Sequence, residues 1–433
     1  MKSNHFGKYF GFTTFGESHG KCIGLVIEDI KPNIEFPFKQ IQSALNRRKP
    51  GTNKISSSRQ EKDKLIVLSG IFEGKTTGMP ICMIVNNEDI KSVDYEQIKN
   101  IFRPGHADYS YFKKFKIYDY RGGGRSSGRE TIARVTAAGV VEQTVDGIEI
   151  ISYPIQIGKF KANQLNFELK NDLNWLDSTN YNDLKKYLNQ IKKEGSSVGG
   201  IVQVEIKNIP AGLGDPVFEK LEANLAKAIL SIGSVKGIEF GKGFLLANLT
   251  GKESNDEISS SGFLSNNMGG ILGGISTGQD IIFRFVVKPT PSIALNQKTI
   301  DHKNNDVEIE INGRHDICIV PRILPVAEAM TKLVLADAIA HQKLITSEKL
   351  TLLDYREAID KIDEDILIAL YRRLEISAQI GKLKKKNNIA MEDISREEKL
   401  LVILYQKGQE FGLESEFIQS IWKTLFKESK KHQ

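Results

Sequence analysis

The sequence predicts an α+β protein in two parts, a mixed α and β domain followed by an all-helical one. From Gly7 to about Ala340, short apolar runs alternate with helical stretches and glycine-rich turns, the pattern of strands and helices sharing one core. After Gln342 glycine becomes rare, proline is absent after Pro325, and charged residues interleave with Leu and Ile at helical spacing. With 433 residues, 40% of them hydrophobic and 26% charged, the chain can fill two or three cores, which excludes disordered and fibrous classes. Its 37 glycines against 12 prolines, without a Gly-x-y period, indicate tight turns rather than low complexity.

Strands are expected at Cys22 to Ile27, Leu65 to Leu68, Ile81 to Val85, Val202 to Ile206 and Ile281 to Val287. Helical periodicity is clearest in Thr131 to Gln143, Pro216 to Leu230 and Pro325 to His341, and a proline opens the latter two. Regular βαβ alternation is missing, so a doubly wound sheet is not indicated. In the second part, a helix from about Leu352 to Lys386 carries the stripe Tyr355, Ile359, Ile362, Ile366, Leu370, Ile380 and Leu383. It would be roughly 50 Å long at 1.5 Å per residue, too long for so small a domain to cover, and is expected to pack against its copy in a dimer. A second helix, about Asp393 to Lys407, ends at Gly408 or Gly412; a third has Ser415 as N-cap and carries Phe417, Ile418, Ile421, Trp422, Leu425 and Phe426. The expected organisation is a first domain over 1–343, a linker over 344–350 and a helical domain over 351–433.

Three isolated cysteines, Cys22, Cys82 and Cys318, offer neither metal spacing nor a disulfide framework and read as small core residues. No metal site is expected. The absence of any long apolar run or charged-then-apolar N-terminus predicts a cytoplasmic protein with no membrane partner. The formal charge of +6 is modest, and the arginines gather in glycine-containing segments, which fits small anionic ligands at least as well as nucleic acid; no nucleic-acid partner is expected.

Those segments are the candidate sites. Thr13-Thr14-Phe15-Gly16-Glu17-Ser18-His19-Gly20 and Arg103-Pro104-Gly105-His106-Ala107-Asp108 each set a histidine in a glycine-containing turn, where it can approach a ligand and move a proton near neutral pH. Asp119-Tyr120-Arg121-Gly122-Gly123-Gly124-Arg125-Ser126-Ser127-Gly128-Arg129-Glu130-Thr131 runs from glycines into a helix start, where backbone N–H groups and guanidinium forks suit a phosphate. Three arginines crowded there are expected to need a compensating anion. Arg47-Arg48-Lys49-Pro50-Gly51, Gly269 to Gly274, Lys288-Pro289-Thr290-Pro291-Ser292 and Gly313-Arg314-His315-Asp316 add cations, bare backbone and an acid–base group. Jointly they describe a site for a ligand bearing phosphates and carboxylates.

These segments, in this order and spacing, resemble chorismate synthase over residues 7–343. The resemblance implies a β-α-β sandwich fold and a tetramer. It implies conversion of 5-enolpyruvylshikimate 3-phosphate to chorismate by 1,4-anti elimination of phosphate, with reduced FMN required although no net redox change occurs. Carried over, it implies that His106 protonates or stabilises the reduced flavin, that His19 protonates the departing phosphate, and that Asp316 assists removal of the C6 proton. Arg125, Ser126, Ser127, Gly233, Ser234, Gly273, Lys288, Pro289, Thr290, Pro291, Ser292 and Arg314 would form the FMN site. Arg48, Lys54, Arg103 and Arg129 would hold the substrate's anionic groups. Lys54, Pro291 and Gly233-Ser234 depart from the commonest family pattern. An external reductase is expected to supply the flavin, with NADPH only an indirect reductant.

On the long helix Arg373 and Lys384, eleven residues apart, share a face about 16 Å from each other, whereas Arg356 lies roughly 25 Å from Arg373 and fits the same small site only in a partner subunit. Spacing alone favours ordinary salt-bridge decoration of a solvated helix pair. The segments around Arg356, Arg372-Arg373, Gly381 to Lys384 and Asp393 to Glu397 resemble the all-α chorismate mutase family over about 350–433. The resemblance implies an intertwined dimer that converts chorismate to prephenate by a Claisen rearrangement. In it Arg373 and the partner's Arg356 clamp the carboxylates and Lys384 with Gln433 bonds the ether oxygen, while Asp393, Arg396, Glu397 and Ser429 complete the lining. The alternative is a helical module serving only dimerisation or regulation.

Overall fold

The computed structural model describes residues 3–49, 61–88, 99–311, 316–346, 352–387, 390 and 394–431. It divides into two compact units, Met1–Ile345 and Thr346–Gln433. Lys54, Arg314, Asp393 and Gln433 lie outside the described residues.

The first unit contains helices α1 (Phe38–Arg48), α2 (Asp108–Phe115), α3 (Thr131–Val140), α4 (Tyr181–Lys193), α5 (Leu221–Leu230), α6 (Gly251–Ser254) and α7 (Val320–Ile345). Two antiparallel five-stranded sheets enclose the larger ones. One runs in the order His5–Phe6, Phe12–Gly16, Cys22–Ile27, Ile81–Asn86, Leu65–Val67; the other, Val235–Phe240, Ile281–Val287, Gly200–Lys207, Glu149–Ile157, Phe160–Lys161. Period-two alternation turns Ile23, Leu25 and Ile27 of the first sheet, and Val202, Val204 and Ile206 of the second, into the core. There α3 packs on the first sheet, α7 on the second, and α1, α3, α5 and α7 pack on one another. The layers are therefore sheet, helices, sheet.

Each half repeats one plan: two antiparallel strands, a helix, a strand, a tight hairpin, a strand and a core helix. The hairpins show it best. Gly70-Ile71-(x)₂-Gly74-(x)-Thr76-Thr77-Gly78 and Gly270-Ile271-(x)₂-Gly274-(x)-Ser276-Thr277-Gly278 lie two hundred positions apart with matching bonds. Thr76 Oγ1 donates to Lys31 O and accepts from Ile34 N–H, as Ser276 Oγ does with Pro210 O and Leu213 N–H. The sequence reading missed this repeat, because the connecting segments differ in length.

Two helix starts differ from expectation. α5 begins at Leu221, not at Pro216, and α7 begins at Val320, so Pro325 sits inside it rather than opening it. The Ile319 carbonyl already accepts from the Arg322 and Ile323 N–H groups, so the helical turn is established before the proline is reached.

The second unit consists of α8 (Leu352–Lys386), α9 (Ile394–Glu410) and α10 (Ser415–Lys431). Ser415 is the first helical residue instead of the cap. α9 continues through Gly408 because that glycine faces Ile418 of α10, whose Cδ1 would stand 1.9 Å from an added Cβ. Its end comes before Gly412, which has a positive φ of 72°. Of the apolar side chains described in this unit only Ile418 and Phe426 are buried, whereas Ile359, Ile362, Ile366, Ile380 and Leu383 of the long helix are exposed.

Candidate active sites

In the first unit the glycine run gathers the two histidines. Gly122 and Gly123 both have positive φ, at 61° and 87°. A Cβ on Gly122 would lie 2.1 Å from His19 Cε1, and one on Gly123 would lie 2.8 Å from His106 Cε1, so bare backbone is what lets both rings close on this segment. His19 is 8% exposed and its Nδ1 meets Ser18 Oγ at 3.2 Å.

His106 is oriented from the other side. Its Nδ1 lies 3.1 Å from Asp108 Oδ1, and Arg103 grips the same carboxylate with Nε at 2.6 Å and a terminal nitrogen at 2.8 Å. Burial pushes the Asp108 carboxyl up, but hydrogen bonds from Arg103 and His106 and their charges outweigh it, so it is held well below the usual carboxylate range. Nδ1 also lies 3.2 Å from an Arg103 terminal nitrogen, so Asp108 and Arg103 together fix the ring with its Cε1–Nε2 edge toward Gly123.

Around this pair lie several residues of the expected cofactor site. Lys288 Nζ donates to Gly105 O at 2.6 Å, and Pro291 Cβ is 3.2 Å from where a Gly105 Cβ would be. Ser234 O accepts from Lys288 N–H, and a Gly233 Cβ would stand 3.9 Å from Ser126 O. Thr290 Oγ1 is buried without a hydrogen-bond partner among the described residues. Burial lowers the Lys288 pKa, and the charge of Lys236 lowers it further. An orphan hydroxyl, two adjacent ammonium groups and a glycine cradle fit a phosphate-bearing planar cofactor. Pro289 is exposed and Ser292 half-buried in the same turn. Gly273 stands exposed at the tip of the Ile271–Ser276 hairpin, and no described hydrogen bond joins it to this cluster.

The arginines of the glycine run find partners inside the protein. Arg125 donates to Thr14 Oγ1 at 2.6 Å and Gly16 O at 3.1 Å; Arg121 is held by Asp119; Ser127 accepts from Arg129 N–H. With Arg129 paired to Asp63, all three crowded arginines have acceptors within the protein, so the argument that they require an external anion is corrected.

Arg48 and Arg129 instead form a buried layer on Asp63. Arg48 reaches Asp63 Oδ2 at 2.7 Å, Arg129 reaches Oδ1 at 3.0 Å, and Glu61 lies 3.5 Å from Arg129. Burial pushes the Arg48 guanidinium down to about 10 against the pull of Asp63, and the nearby Arg322 and Arg129 charges add to the fall. Arg322 takes Asp316 in an ion pair at 2.5 Å. Both Arg48 Nε and Arg322 Nε are buried without a partner among the described residues. Two unused N–H donors in a desolvated arginine layer suit a carboxylate or phosphate oxygen.

In the second unit Arg373 donates to Ser429 Oγ and, at 3.4 Å, to Leu425 O, with its guanidinium 5.5 Å from the Phe426 ring centroid. Burial lowers the Arg373 pKa and the neighbouring Glu397 opposes it. Glu397 pairs with Lys430 at 3.3 Å. Lys384 is half-buried, whereas Arg356 and Arg396 are exposed.

A family description, chorismate synthase, matches residues 10–340, and a second, chorismate mutase type II, matches residues 355–433. The chain belongs to the chorismate synthase family. The chorismate synthase of Syntrophus aciditrophicus (strain SB) is 48% identical over 354 residues, spanning 80% of this chain and 100% of that protein. That of Pelagibacter ubique (strain HTCC1062) is 46% identical over 351 residues, 78% of this chain and 97% of its own. A crystal structure of chorismate synthase matches at 28% identity with a TM-score of 0.61, covering 83% of this chain and 99% of that one. The chorismate synthase domain is thus followed by a chorismate mutase domain, and the chain is a bifunctional enzyme, a lyase joined to an isomerase. Among the described residues no helix is long and apolar enough to cross a membrane.

Sequence reasoning missed Asp63, Glu61, Arg322 and Asn87. Asp108 stood in the quoted histidine motif and its carboxylate was the available signal. Arg322 lies six positions after Asp316 and was likewise open to notice, whereas Asp63, Glu61 and Asn87 meet their partners fifteen or more positions away and show no local pattern.

Proposed function

We propose that the first domain eliminates phosphate from 5-enolpyruvylshikimate 3-phosphate to give chorismate, and that the second rearranges chorismate to prephenate. The observation that carries the first half is the convergence of His19 and His106 on adjacent glycines beside the buried arginine layer. Reduced FMN from an external reductase, with NADPH at most indirectly involved, would supply electron density to the allylic system. The Lys288 to Ser292 turn, Gly233-Ser234 and Ser126 would hold it, and His106 would steady its charge. Arg48 and Arg129 bind the substrate's anionic groups, Arg103 acts through Asp108 and His106, and His19 gives its proton to the departing phosphate. Asp316, anchored by Arg322, takes part in removing the C6 proton.

In the mutase domain Arg373 grips a carboxylate, with Ser429 and Glu397 fixing its position, and the exposed apolar stripe of α8 is covered by a second copy that contributes Arg356. Among the described residues only two apolar side chains of this unit are buried, a core too small to stand alone. Holding the compact conformer and stabilising developing charge then account for catalysis. A dimer through these helices is compatible with a tetramer.

The test is an anaerobic time course with 5-enolpyruvylshikimate 3-phosphate and chemically reduced FMN, resolving chorismate from prephenate. Chorismate followed by prephenate is expected. Chorismate alone would leave the helices a non-catalytic module, and no phosphate release from flavin-loaded protein would overturn the reading.

A further inference from the structure

Asn87, just past the strand Ile81–Asn86, touches both halves of the proposed elimination machinery. Its side-chain Nδ2 donates to Glu17 O at 2.9 Å and to Gly20 O at 2.7 Å, the carbonyls that bracket Ser18 and His19. Its Oδ1 accepts from Arg129 Nε at 2.7 Å, and its backbone N–H donates to Lys21 O at 3.1 Å. Both N–H groups of the amide and its oxygen are used. The opposite orientation would set the oxygen against two carbonyls and the NH₂ against a guanidinium, so the network admits one orientation.

We propose that Asn87 is a positioning residue that fixes the His19 loop to Arg129, so that the proton donor and the anion clamp share one frame. The inference rests on the roles proposed above for His19 and Arg129. A bound anion drawn to Arg129 is then presented at a set place relative to the imidazole. The side chain itself touches neither substrate nor cofactor in this account. Its contribution is to kcat, because a proton donor misplaced by about 1 Å loses on the order of a hundredfold in rate.

Asn87→Asp separates the two contacts. The carboxylate keeps an acceptor for Arg129 but replaces the donors to Glu17 O and Gly20 O with an oxygen that repels them. In the full-length, flavin-loaded enzyme, chorismate formation should fall in kcat by tenfold to a hundredfold, about the cost of such a misplacement, while KM for 5-enolpyruvylshikimate 3-phosphate stays within about threefold. Combined with His19→Ala, Asn87→Asp should add little further loss, since it acts through the histidine. An unchanged kcat, a rise confined to KM, or full multiplication of the two losses would each overturn the proposal. If His19→Ala alone left the rate unaltered, the parent assignment of His19 would be the failure, visible without Asn87. An unaltered circular dichroism spectrum and thermal midpoint report folding; should Asn87→Asp not fold, Asn87→Ser, too short to span either contact, severs both, and an unchanged kcat in it would equally overturn the proposal.

Discussion

Gly122→Ala tests how closely the glycine run seats His19. An added Cβ would stand 2.1 Å from His19 Cε1 and 2.3 Å from Nδ1, whereas ordinary contact begins at 3.4 Å, so the ring must retreat by about 1.3 Å. The backbone cannot easily yield instead, because φ is 61° here and an alanine in that region already costs about 1–2 kcal/mol. Ser18 Oγ, fully buried and 3.2 Å from Nδ1, would itself stand 3.2 Å from the added Cβ, so the new methyl crowds both partners of that hydrogen bond. A displacement above 1 Å at a proton donor predicts a loss of about a hundredfold in kcat. The assay is anaerobic chorismate formation at saturating reduced FMN, with Gly128→Ala alongside. Gly128 has no atom within 4 Å of an added Cβ and no positive φ, so that variant should stay within about twofold. Gly122→Ala retaining more than a third of the rate would refute the claim that bare backbone at this position seats the catalytic imidazole.

Three further outcomes are expected. Asp108 has a lowered folded-state pKa, so its contribution to stability is present above the unfolded value of about 3.9 and is lost as pH falls below it; the difference in Tm between wild type and Asp108→Asn should shrink between about pH 5 and pH 3, and a constant gap would contradict the assignment. Arg373→Ala should cut prephenate formation at least about a hundredfold with chorismate formation untouched, and Arg373→Lys should not restore it, since an ammonium lacks the planar fork. Ile366→Glu, at a side chain half exposed in a single chain, should lower the mass measured by light scattering and abolish mutase turnover together; loss of turnover at unchanged mass would count against the dimer.

The strands Cys22 to Ile27 and Ile281 to Val287 and the bounds of the long helix were legible because periodicity and burial are local consequences of the residues themselves. The two histidines were legible for a similar reason: glycines beside an imidazole mark close approach in the sequence. Prolines 216 and 325 misled for opposite reasons: Pro216 lies five residues ahead of α5, in the turns that lead into it, and Pro325 is the sixth residue of α7, where the helix is already under way. What stayed hidden was long-range pairing. Nothing near Asp63 announces that Arg48 and Arg129 share its two oxygens, and three arginines in a row looked starved of counter-charge until Thr14, Asp63 and Asp119 came into place around them.

The paired hairpins at Thr76 and Ser276 have a historical reading. Two stretches that bond their surroundings through the same hydroxyl, spaced two hundred positions apart and each ending in a core strand and helix, are what a duplicated ancestor leaves behind. Such an ancestor, half the length of the first unit, would have covered its helices only by meeting a twin, and fusion would make that meeting intramolecular. Severing the chain between Val145 and Glu149, where the halves join, should therefore yield two fragments that find each other when expressed together.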